Sequence, residues 1–424
     1  MNNIKKTILS SIITIATIGT ASATNLIAGY LDTTATGSAT KVDLSQATQD
    51  GYNTVIFAFA KVSGTSVDFF NSESKTLTMD KMTSATQNGM KKLISFGGQN
   101  NTFNPGSLSS TDTNTLANNM VAFVIANGFD GIDFDLEEKI DPNFLKELIT
   151  DIKIADSNII VTAAPQINDG VLVTTGTNAD YSAAISAGLF DYLFIQEYNT
   201  GPENEISFIS SSFDIIKNQV PSNTKIVVGE PTAAVAAGIA TIYHPSANDT
   251  LTTQEVTENM LPELKKINTD PQYGGVMGWS LNVDYDAADY SDSTHVAGSF
   301  AYGLKDCVIN GQCDTAPTPK PAPVNYELQT SNTDSTSGVG VTLTISDNSG
   351  DSFTSDWIGP ASNKVYSATS NPSASSIEGK TDLSVSWETY AGGPSGVCSG
   401  SFDLNTNKNI MVNPSTGACA FTTL

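Results

Sequence analysis

The acidic side chains best suited to chemistry lie within residues 129–137, which read FDGIDFDLE. Asp133, Asp135 and Glu137 recur at every second position, so on a β-strand they would share one face, with the apolar residues on the other. Acids held this close in a buried setting raise one another's pKa, as a proton donor requires. From spacing alone, catalysis, a buried polar network and a Ca²⁺ site stay open, although the interleaved apolar residues disfavour a calcium loop.

Eight short apolar, β-rich runs are each followed by a polar loop and a helical-looking segment. They begin at residues 25, 54, 91, 129, 158, 190, 225 and 273, and segments such as 114–127 and 143–154 have the apolar spacing of helices. Eight such units predict an α/β fold, a closed (β/α)8 TIM barrel. An open doubly wound sheet is the alternative, but no GxGxxG or Walker A loop follows a strand.

A barrel of this kind carries its reacting groups at the C-terminal ends of the strands. Glu137 comes last on its strand, so we expect it nearest the cleft, with Asp135 one layer below and Asp133 deeper. Three close acids cannot all be ionised comfortably. We therefore expect Asp133 and Asp135 to share a proton and Glu137 to act as a general acid.

The rest of the chain suggests an exported protein with an accessory module. Residues 1–23 read as a signal peptide, with Lys5 and Lys6 before an apolar run over 8–19 that is too short for a membrane anchor. We predict the barrel over 24–313, a Pro-rich linker over 314–324 and an all-β, β-sandwich-like module over 325–424. The expected location is extracellular, with the periplasm as an alternative.

The charge of the chain limits the kinds of molecule that it can bind, and its cysteine content predicts disulfide bonds. The net charge of −24 argues against nucleic acid and anionic membranes, and the complete lack of Arg suggests an uncharged substrate. An even number of cysteines in an exported chain predicts disulfides, here Cys307 with Cys313 and Cys398 with Cys419. We expect a monomer without cofactor or metal.

Five motifs in order resemble a known family. DGIDFDLE matches the DGxDxDxE signature of glycoside hydrolase family 18, the chitinases and their relatives. The other four motifs resemble those of the third, fifth, sixth and eighth strands of that family: they are Ser95-Phe96-Gly97-Gly98, Ala164-Pro165-Gln166, Gln196-Glu197-Tyr198-Asn199, and GGVMGWS with Trp279 and Ser280. The resemblance covers residues 25–304 and is greatest to the hevamine-like, plant class III branch.

The resemblance implies a role for each member of the acid column (Asp133, Asp135 and Glu137). Glu137 would protonate the glycosidic oxygen and later activate water. The substrate's own N-acetyl carbonyl would attack the anomeric carbon with retention, an exception to the two-carboxylate scheme. Asp135 would turn toward the acetamido N–H with help from Asp133, and Tyr198 would donate its hydroxyl to the acetamido oxygen.

The resemblance also implies a set of substrate-binding residues. Trp279 would form the floor on which a sugar ring stacks. The other members of this set are Gln166, Gln196, Asn199, Tyr30 and Phe59, the last two as aromatic walls that end the first and second strands, with barrel packing as their alternative. Glu230 departs from the family, which commonly has Leu there.

The accessory module offers its own aromatic candidates. Trp357, in SDWIGP beside turn residues, and Tyr366 are candidates for sugar stacking, with core packing as the alternative. Trp387 alternates with apolar residues and is expected in the core.

These observations predict a secreted, endo-acting chitinase that cleaves β-1,4 bonds in chitin or N-acetylglucosamine oligomers. An endo-β-N-acetylglucosaminidase acting on N-glycans is the alternative within the same enzyme class. A chitinase-like lectin is a further alternative, but such proteins commonly lack the acid that is present here as Glu137.

Overall fold

A computed structural model describes most of the chain. The described residues are 25–168, 171–173, 181–199, 205–238, 241–246, 249–286, 295–314, 320, 327–335, 339–348, 350–367, 374, 376, 377, 380–389, 393–404 and 406–423. The predicted signal peptide and most of the predicted linker lie outside them.

Eight parallel strands form a closed barrel. They are β1 (Leu26–Asp32), β2 (Thr54–Ser63), β3 (Lys91–Gly97), β4 (Gly131–Asp135), β5 (Ile160–Ala163), β6 (Tyr192–Gln196), β7 (Lys225–Pro231) and β8 (Tyr273–Trp279). Each strand pairs with the next, and β1 pairs with both β2 and β8, which closes the sheet. The predicted TIM barrel is confirmed, and each of the eight strands overlaps one of the predicted runs, although β1 and β2 continue beyond the ends of theirs.

The strand that carries the acids is shorter than the sequence suggests. β4 ends at Asp135, so Glu137 lies two residues beyond it. The reason is that its neighbours stop there: the last pairs join Asp135 to Gly97 on β3 and Phe134 to Ala163 on β5. Glu137 therefore belongs to the loop at the C-terminal end of the barrel.

Helices follow the barrel strands as predicted. The described helices are Thr36–Ala39, Leu44–Asp50, Ser72–Gln87, Ser110–Asn127, Pro142–Ala155, Ser182–Ser186, Phe208–Ile216, Thr253–Ile267, Leu281–Tyr285 and Ser299–Asn310. Short strands at Ser66–Phe69 and Phe103–Asn104 pair with the C-terminal part of β2, the first antiparallel and the second parallel. A further short strand, Ile167–Asn168, pairs with Val171–Leu172.

The helix after β4 shows why these segments fold locally. Asp141 accepts hydrogen bonds from the first free backbone N–H groups, and Pro142, which has no N–H, occupies the first turn. Leu145, Leu148 and Ile152 lie on one face at helical spacing and are fully buried. That face belongs to the core between the barrel strands and the surrounding helices.

The barrel has an inner and an outer core. The lumen is filled by side chains such as Tyr30, Phe194 and Met277. The outer core lies between strands and helices and includes Ile195 and Val228. Because alternate residues of a strand face opposite ways, residues at the C-terminal ends of the lumen-facing series can reach the cleft.

The C-terminal residues form a separate β-sandwich. Its strands are β9 (Leu328–Asn332), β10 (Thr342–Ser346), β11 (Ser352–Thr354), β12 (Ser362–Tyr366), β13 (Ser384–Glu388), β14 (Ser395–Val397), β15 (Lys408–Asn413) and β16 (Ala418–Thr423). They form two four-stranded sheets, ordered β12-β9-β15-β16 and β11-β10-β13-β14. Both sheets contribute to one core, which includes Trp387 as predicted and shares no residue with the barrel cores.

Both predicted disulfides are present. Cys307 pairs with Cys313 at the end of the last barrel helix, and Cys398 pairs with Cys419 within the sandwich. Lys320, a described residue of the predicted linker, donates to Asp50 and to the Ala297 carbonyl at 2.5 Å each, so the linker touches the barrel there. Among the described helices, none is long and apolar enough to cross a membrane.

Candidate active site

The acid column runs from the barrel interior to its C-terminal opening. Asp133 is fully buried, Asp135 is 5% exposed and Glu137 is half-buried. This order agrees with the layers predicted from the sequence. Glu137 is the member of the column that an external molecule can reach.

Asp133 is held by three hydroxyl groups. Tyr30 and Ser95 donate to its Oδ2 at 2.8 and 2.7 Å, and Thr162 donates to its Oδ1 at 2.6 Å. Burial raises the pKa of Asp133, whereas these hydrogen bonds oppose that shift because they favour the charged form. The donors therefore favour the negative charge on Asp133.

Ser95 and Thr162 were not assigned roles from the sequence. Both lie directly opposite Asp133 in the strand register, on β3 and β5. A hydroxyl residue in the middle of each strand that flanks an acid was the available signal. This signal alone does not predict a hydrogen bond to Asp133, because serine and threonine also occur in strands without an acidic partner.

Asp135 lies in a different environment. The Gln196 side-chain N–H₂ donates to its Oδ1 at 2.9 Å and to the Ala164 carbonyl at 2.9 Å. Burial first, and then the charges of Glu137 and Asp133, raise the pKa of Asp135 well above its usual range. Among the described residues, one side chain donates to Asp135, whereas three side chains and the Phe134 backbone N–H donate to Asp133. Asp135 is therefore the member of the buried pair that holds the proton more readily.

The backbone around Glu137 is fixed by close contacts. The Tyr181 hydroxyl accepts from the backbone N–H of Leu136 at 2.8 Å. Gly98 donates its N–H to the Asp135 carbonyl at 2.6 Å. Gly97 has a φ of 122°, and a Cβ there would lie 2.0 Å from that same carbonyl oxygen, so only glycine fits. Burial raises the pKa of Glu137, which favours the acid form.

An aromatic group borders the opening. The half-buried Trp279 lies with its ring centroid 5.6 Å from that of Tyr30 and 6.5 Å from that of Phe59. Phe59 is half-buried and packs on Gly98, where a Cβ would meet the ring at 2.6 Å. Trp279 and Phe59 are thus placed to contact a ligand above the acids.

Tyr30 does not form a wall of the cleft. It is 1% exposed and its hydroxyl is engaged by Asp133. The prediction placed it at the end of the first strand, but β1 continues to Asp32, so Tyr30 lies one layer deeper. Likewise Phe59 does not end β2, which runs to Ser63, although its partial exposure keeps it a candidate for ligand contact.

Three further predicted residues follow β5 and β6. Tyr198 is 6% exposed, and burial, then Asp135 and Glu137, raises its pKa well above the usual range, so its hydroxyl remains a donor. Gln166 forms a bridge with Gln196 and is half-buried. Asn199 is exposed, and its Oδ1 accepts the backbone N–H of Gly238 at 2.8 Å, which ties together the loops after β6 and β7. Substrate contact by Gln166 and Asn199 stays a prediction.

The two aromatic candidates of the sandwich differ. Trp357 is 55% exposed, and its indole lies on Gly340, where a Cβ would be 1.9 Å from the ring. Tyr366 was predicted as a binding residue, which is wrong: it is 3% exposed, packs edge-on against Phe353 at 4.9 Å and accepts the Asp356 N–H. Its place in β12, opposite Leu328, turns it into the core.

The comparisons with known proteins agree with this geometry. The model of the family described as glycosyl hydrolases family 18 matches residues 26–304. The chain belongs to glycosyl hydrolase family 18. In the part of the chain that the structure describes, no three His, Cys, Asp or Glu side chains are grouped as metal ligands.

Similar members of family 18 include plant proteins. An acidic endochitinase SE2 of Beta vulgaris is 32% identical over an alignment of 219 residues, and the match covers 47% of this chain and 65% of the relative. An acidic endochitinase of Phaseolus angularis is 30% identical over 215 residues, covering 47% and 64%. The chain thus spans a little under two thirds of these relatives. The C-terminal domain of ChiA from Legionella pneumophila is 20% identical, with a TM-score of 0.49, and the match covers 68% of this chain and all of that domain.

Proposed function

We propose that this family 18 protein is a secreted chitinase that cleaves β-1,4 bonds between N-acetylglucosamine units, with endo action and retention of configuration. The observation that carries the proposal is that the three acids differ in their exposure to solvent. Glu137 alone in the acid column is accessible, while Asp133 and Asp135 are buried and held by four side chains. The column therefore supplies one acid to the cleft and no second carboxylate as an enzyme nucleophile.

The first step needs a proton donor and an internal nucleophile. Glu137 gives its proton to the glycosidic oxygen, the bond from that oxygen to the anomeric carbon breaks, and the acetamido carbonyl oxygen of the same sugar bonds to that carbon. The product is an oxazolinium ion. The raised pKa of Glu137 supports this role because a larger fraction of the carboxyl group stays protonated.

The buried residues prepare the acetamido group for attack. Asp135 passes the shared proton to Asp133, turns from Gln196 toward the cleft, and as a carboxylate accepts a hydrogen bond from the acetamido N–H and offsets the positive charge that develops there. Tyr198 donates its hydroxyl to the acetamido oxygen and orients it. Trp279 supports the sugar ring from below.

The second step reverses the proton transfer. Glu137, now a carboxylate, removes a proton from water, and the oxygen of that water attacks the anomeric carbon from the side that the leaving group vacated. The carbon–oxygen bond of the oxazolinium ring breaks, which restores the acetamido group. Attack from that side gives the retained configuration.

Secretion is supported by the disulfides. Both cysteine pairs are bonded, and such bonds persist in oxidising compartments. The plant relatives that match the barrel carry the name endochitinase, which favours chitin and internal cleavage over N-glycans.

The sandwich is proposed to bind the same polymer through Trp357. Its indole is fixed from one side by Gly340 and exposed on the other, the arrangement that suits stacking on a pyranose ring. A module of this kind would keep the barrel near an insoluble substrate, which raises the effective concentration.

The test uses two neighbouring acids. Glu137→Gln should abolish turnover of colloidal chitin and retain binding of chitin oligomers. Glu138→Gln is the matched control, since Glu138 is exposed and hydrogen-bonded to Asn101. Turnover by Glu137→Gln would refute the assignment. Faster release of glycans from a high-mannose glycoprotein than of sugars from chitin would favour the endo-β-N-acetylglucosaminidase, and binding without turnover by the wild type would favour the lectin.

A further inference from the structure

Two glutamates lie side by side behind the acid column. β6 and β7 pair with Gln196 opposite Gly229, and the N–H of Glu197 donates to the Gly229 carbonyl at 3.0 Å. One residue further along, the same register sets Glu197 opposite Glu230. Both side chains are 0% exposed. The proposed mechanism uses neither of them.

The pair faces the helix layer. Ile195 and Val228, two residues before each glutamate, belong to the outer core of the barrel. Because alternate side chains of a strand share a face, Glu197 and Glu230 point the same way. Gln196 points into the lumen, where it meets Asp135. The glutamates thus stand directly behind residues that the reaction needs.

Two ionised carboxylates are costly in such a space. Burial first, and the neighbouring Glu197 second, raise the pKa of Glu230 well above its usual range. Among the described residues, no hydrogen-bond donor reaches either oxygen of the buried Glu230 side chain. A carboxylic acid beside a carboxylate donates its O–H to it in a short, charge-assisted bond. One proton then serves both groups.

We propose that Glu197 and Glu230 share one proton and act as a positioning pair that fastens the end of β6 to the end of β7. Glu197 stands in sequence between Gln196, which holds Asp135, and Tyr198, which on the proposed mechanism orients the acetamido oxygen. When the backbone at Glu197 is held in place, the orientations of the Gln196 and Tyr198 side chains are fixed as well. Only this effect on catalysis rests on the proposed function, since the pairing itself follows from strand register and burial.

Four variants separate this pair from ordinary packing. Glu230→Gln keeps a donor for Glu197, whereas Glu230→Leu and Glu197→Leu each remove one of the two carboxyl groups that share the proton. The double Leu variant removes both acids. Ile195→Val, on the same face one step below, controls for lost packing.

The measurements are kcat and KM on soluble chitin oligomers, and the melting temperature. We expect Glu230→Gln to stay within about threefold of the wild-type kcat, and each single Leu variant to lose at least about tenfold in kcat with a smaller change in KM. The double Leu variant should melt at a higher temperature than the sum of the single shifts predicts, because it removes both buried carboxyl groups together and leaves neither without the shared proton.

Equal impairment of Glu230→Gln and Glu230→Leu, wild-type kinetics in the single Leu variants, or additive shifts in melting temperature would each overturn the proposal. A wild-type protein that cleaves no chitin oligomer would instead defeat the proposed function. In that case the melting temperatures of the double-mutant cycle still decide whether the two glutamates are paired.

Discussion

Tyr30 and Asp133 are joined across the barrel lumen by a hydrogen bond of 2.8 Å between the tyrosine hydroxyl and Oδ2. The contact links β1 to β4 and is fully buried. The hydroxyl groups of Tyr30, Ser95 and Thr162 together donate three hydrogen bonds to Asp133, the deepest member of the acid column. The residues that stabilise the charge of Asp133, the deepest acid of the column, therefore lie on strands that carry none of the acids.

Removing this hydroxyl should affect turnover more than binding. Tyr30→Phe leaves Asp133 with two of its three hydroxyl donors, and a hydrogen bond to a charged group contributes about 1.5–3 kcal/mol. We expect kcat to fall about tenfold with KM nearly unchanged, because Asp133 acts through Asp135. Steady-state kinetics on soluble chitin oligomers measure kcat and KM separately.

The control for that substitution is Tyr273→Phe. In the part of the chain that the structure describes, the buried Tyr273 hydroxyl has no hydrogen-bond partner, so its loss should leave both kinetics and stability intact. A Tyr30→Phe variant that behaves like Tyr273→Phe would show that the contact with Asp133 has no catalytic effect.

Gly97 should not tolerate a side chain. A Cβ there would collide with the Asp135 carbonyl, and the φ of 122° adds strain of about 1–3 kcal/mol. We expect Gly97→Ala to lower the melting temperature and to displace Asp135, with loss of activity. Gly64→Ala is the control, because Gly64 also has a positive φ, of 58°, but open space around it. Equal effects of the two substitutions would contradict the steric argument.

The buried acids predict how stability depends on pH. Asp135 has a folded-state pKa above its unfolded value, so its contribution is fully present below the unfolded pKa and is lost as pH rises through the folded pKa. Asp135→Asn keeps a neutral side chain there at every pH. The melting temperature of this variant should fall less steeply than that of the wild type as pH rises above the ordinary aspartate range. Glu138→Gln serves as the exposed control, and parallel curves for Asp135→Asn and wild type would exclude this contribution.

Trp357 should contribute to the binding of insoluble chitin and not to the turnover of soluble oligomers. Trp357→Ala removes the exposed indole, and we expect affinity for chitin particles to fall about tenfold while turnover of soluble oligomers is unchanged. Val365→Ala is the matched control, since Val365 is 49% exposed in the same module. Sedimentation binding assays compare the three proteins. Full particle binding by Trp357→Ala would assign adsorption to another surface.

The sequence predicted the barrel because each strand carried a strong apolar signal and because the acids had a fixed spacing. It did not predict how deep each residue lies. Tyr30 was placed one layer too high, since the end of β1 depends on its pairing with neighbours rather than on its own residues. Ser95 and Thr162 were missed for the same reason, because their contact with Asp133 arises from the register between strands.

Tyr366 shows a second limit. A short strand in a Ser- and Thr-rich region does not reveal which face is buried, and the pairing of Tyr366 with Leu328 settles it. Glu230 was visible as a departure from the family, but its neighbour Glu197 became apparent only when β6 and β7 were set side by side.

The central claim is that the substrate supplies the nucleophile through its 2-acetamido group. The most direct measurement compares hydrolysis of an N-acetylglucosamine oligomer with that of the de-N-acetylated oligomer of equal length. We predict cleavage of the acetylated oligomer at a rate roughly a thousandfold or more above that of the other, in line with the effective concentration of a well-placed internal nucleophile. Comparable rates on both oligomers would contradict the account.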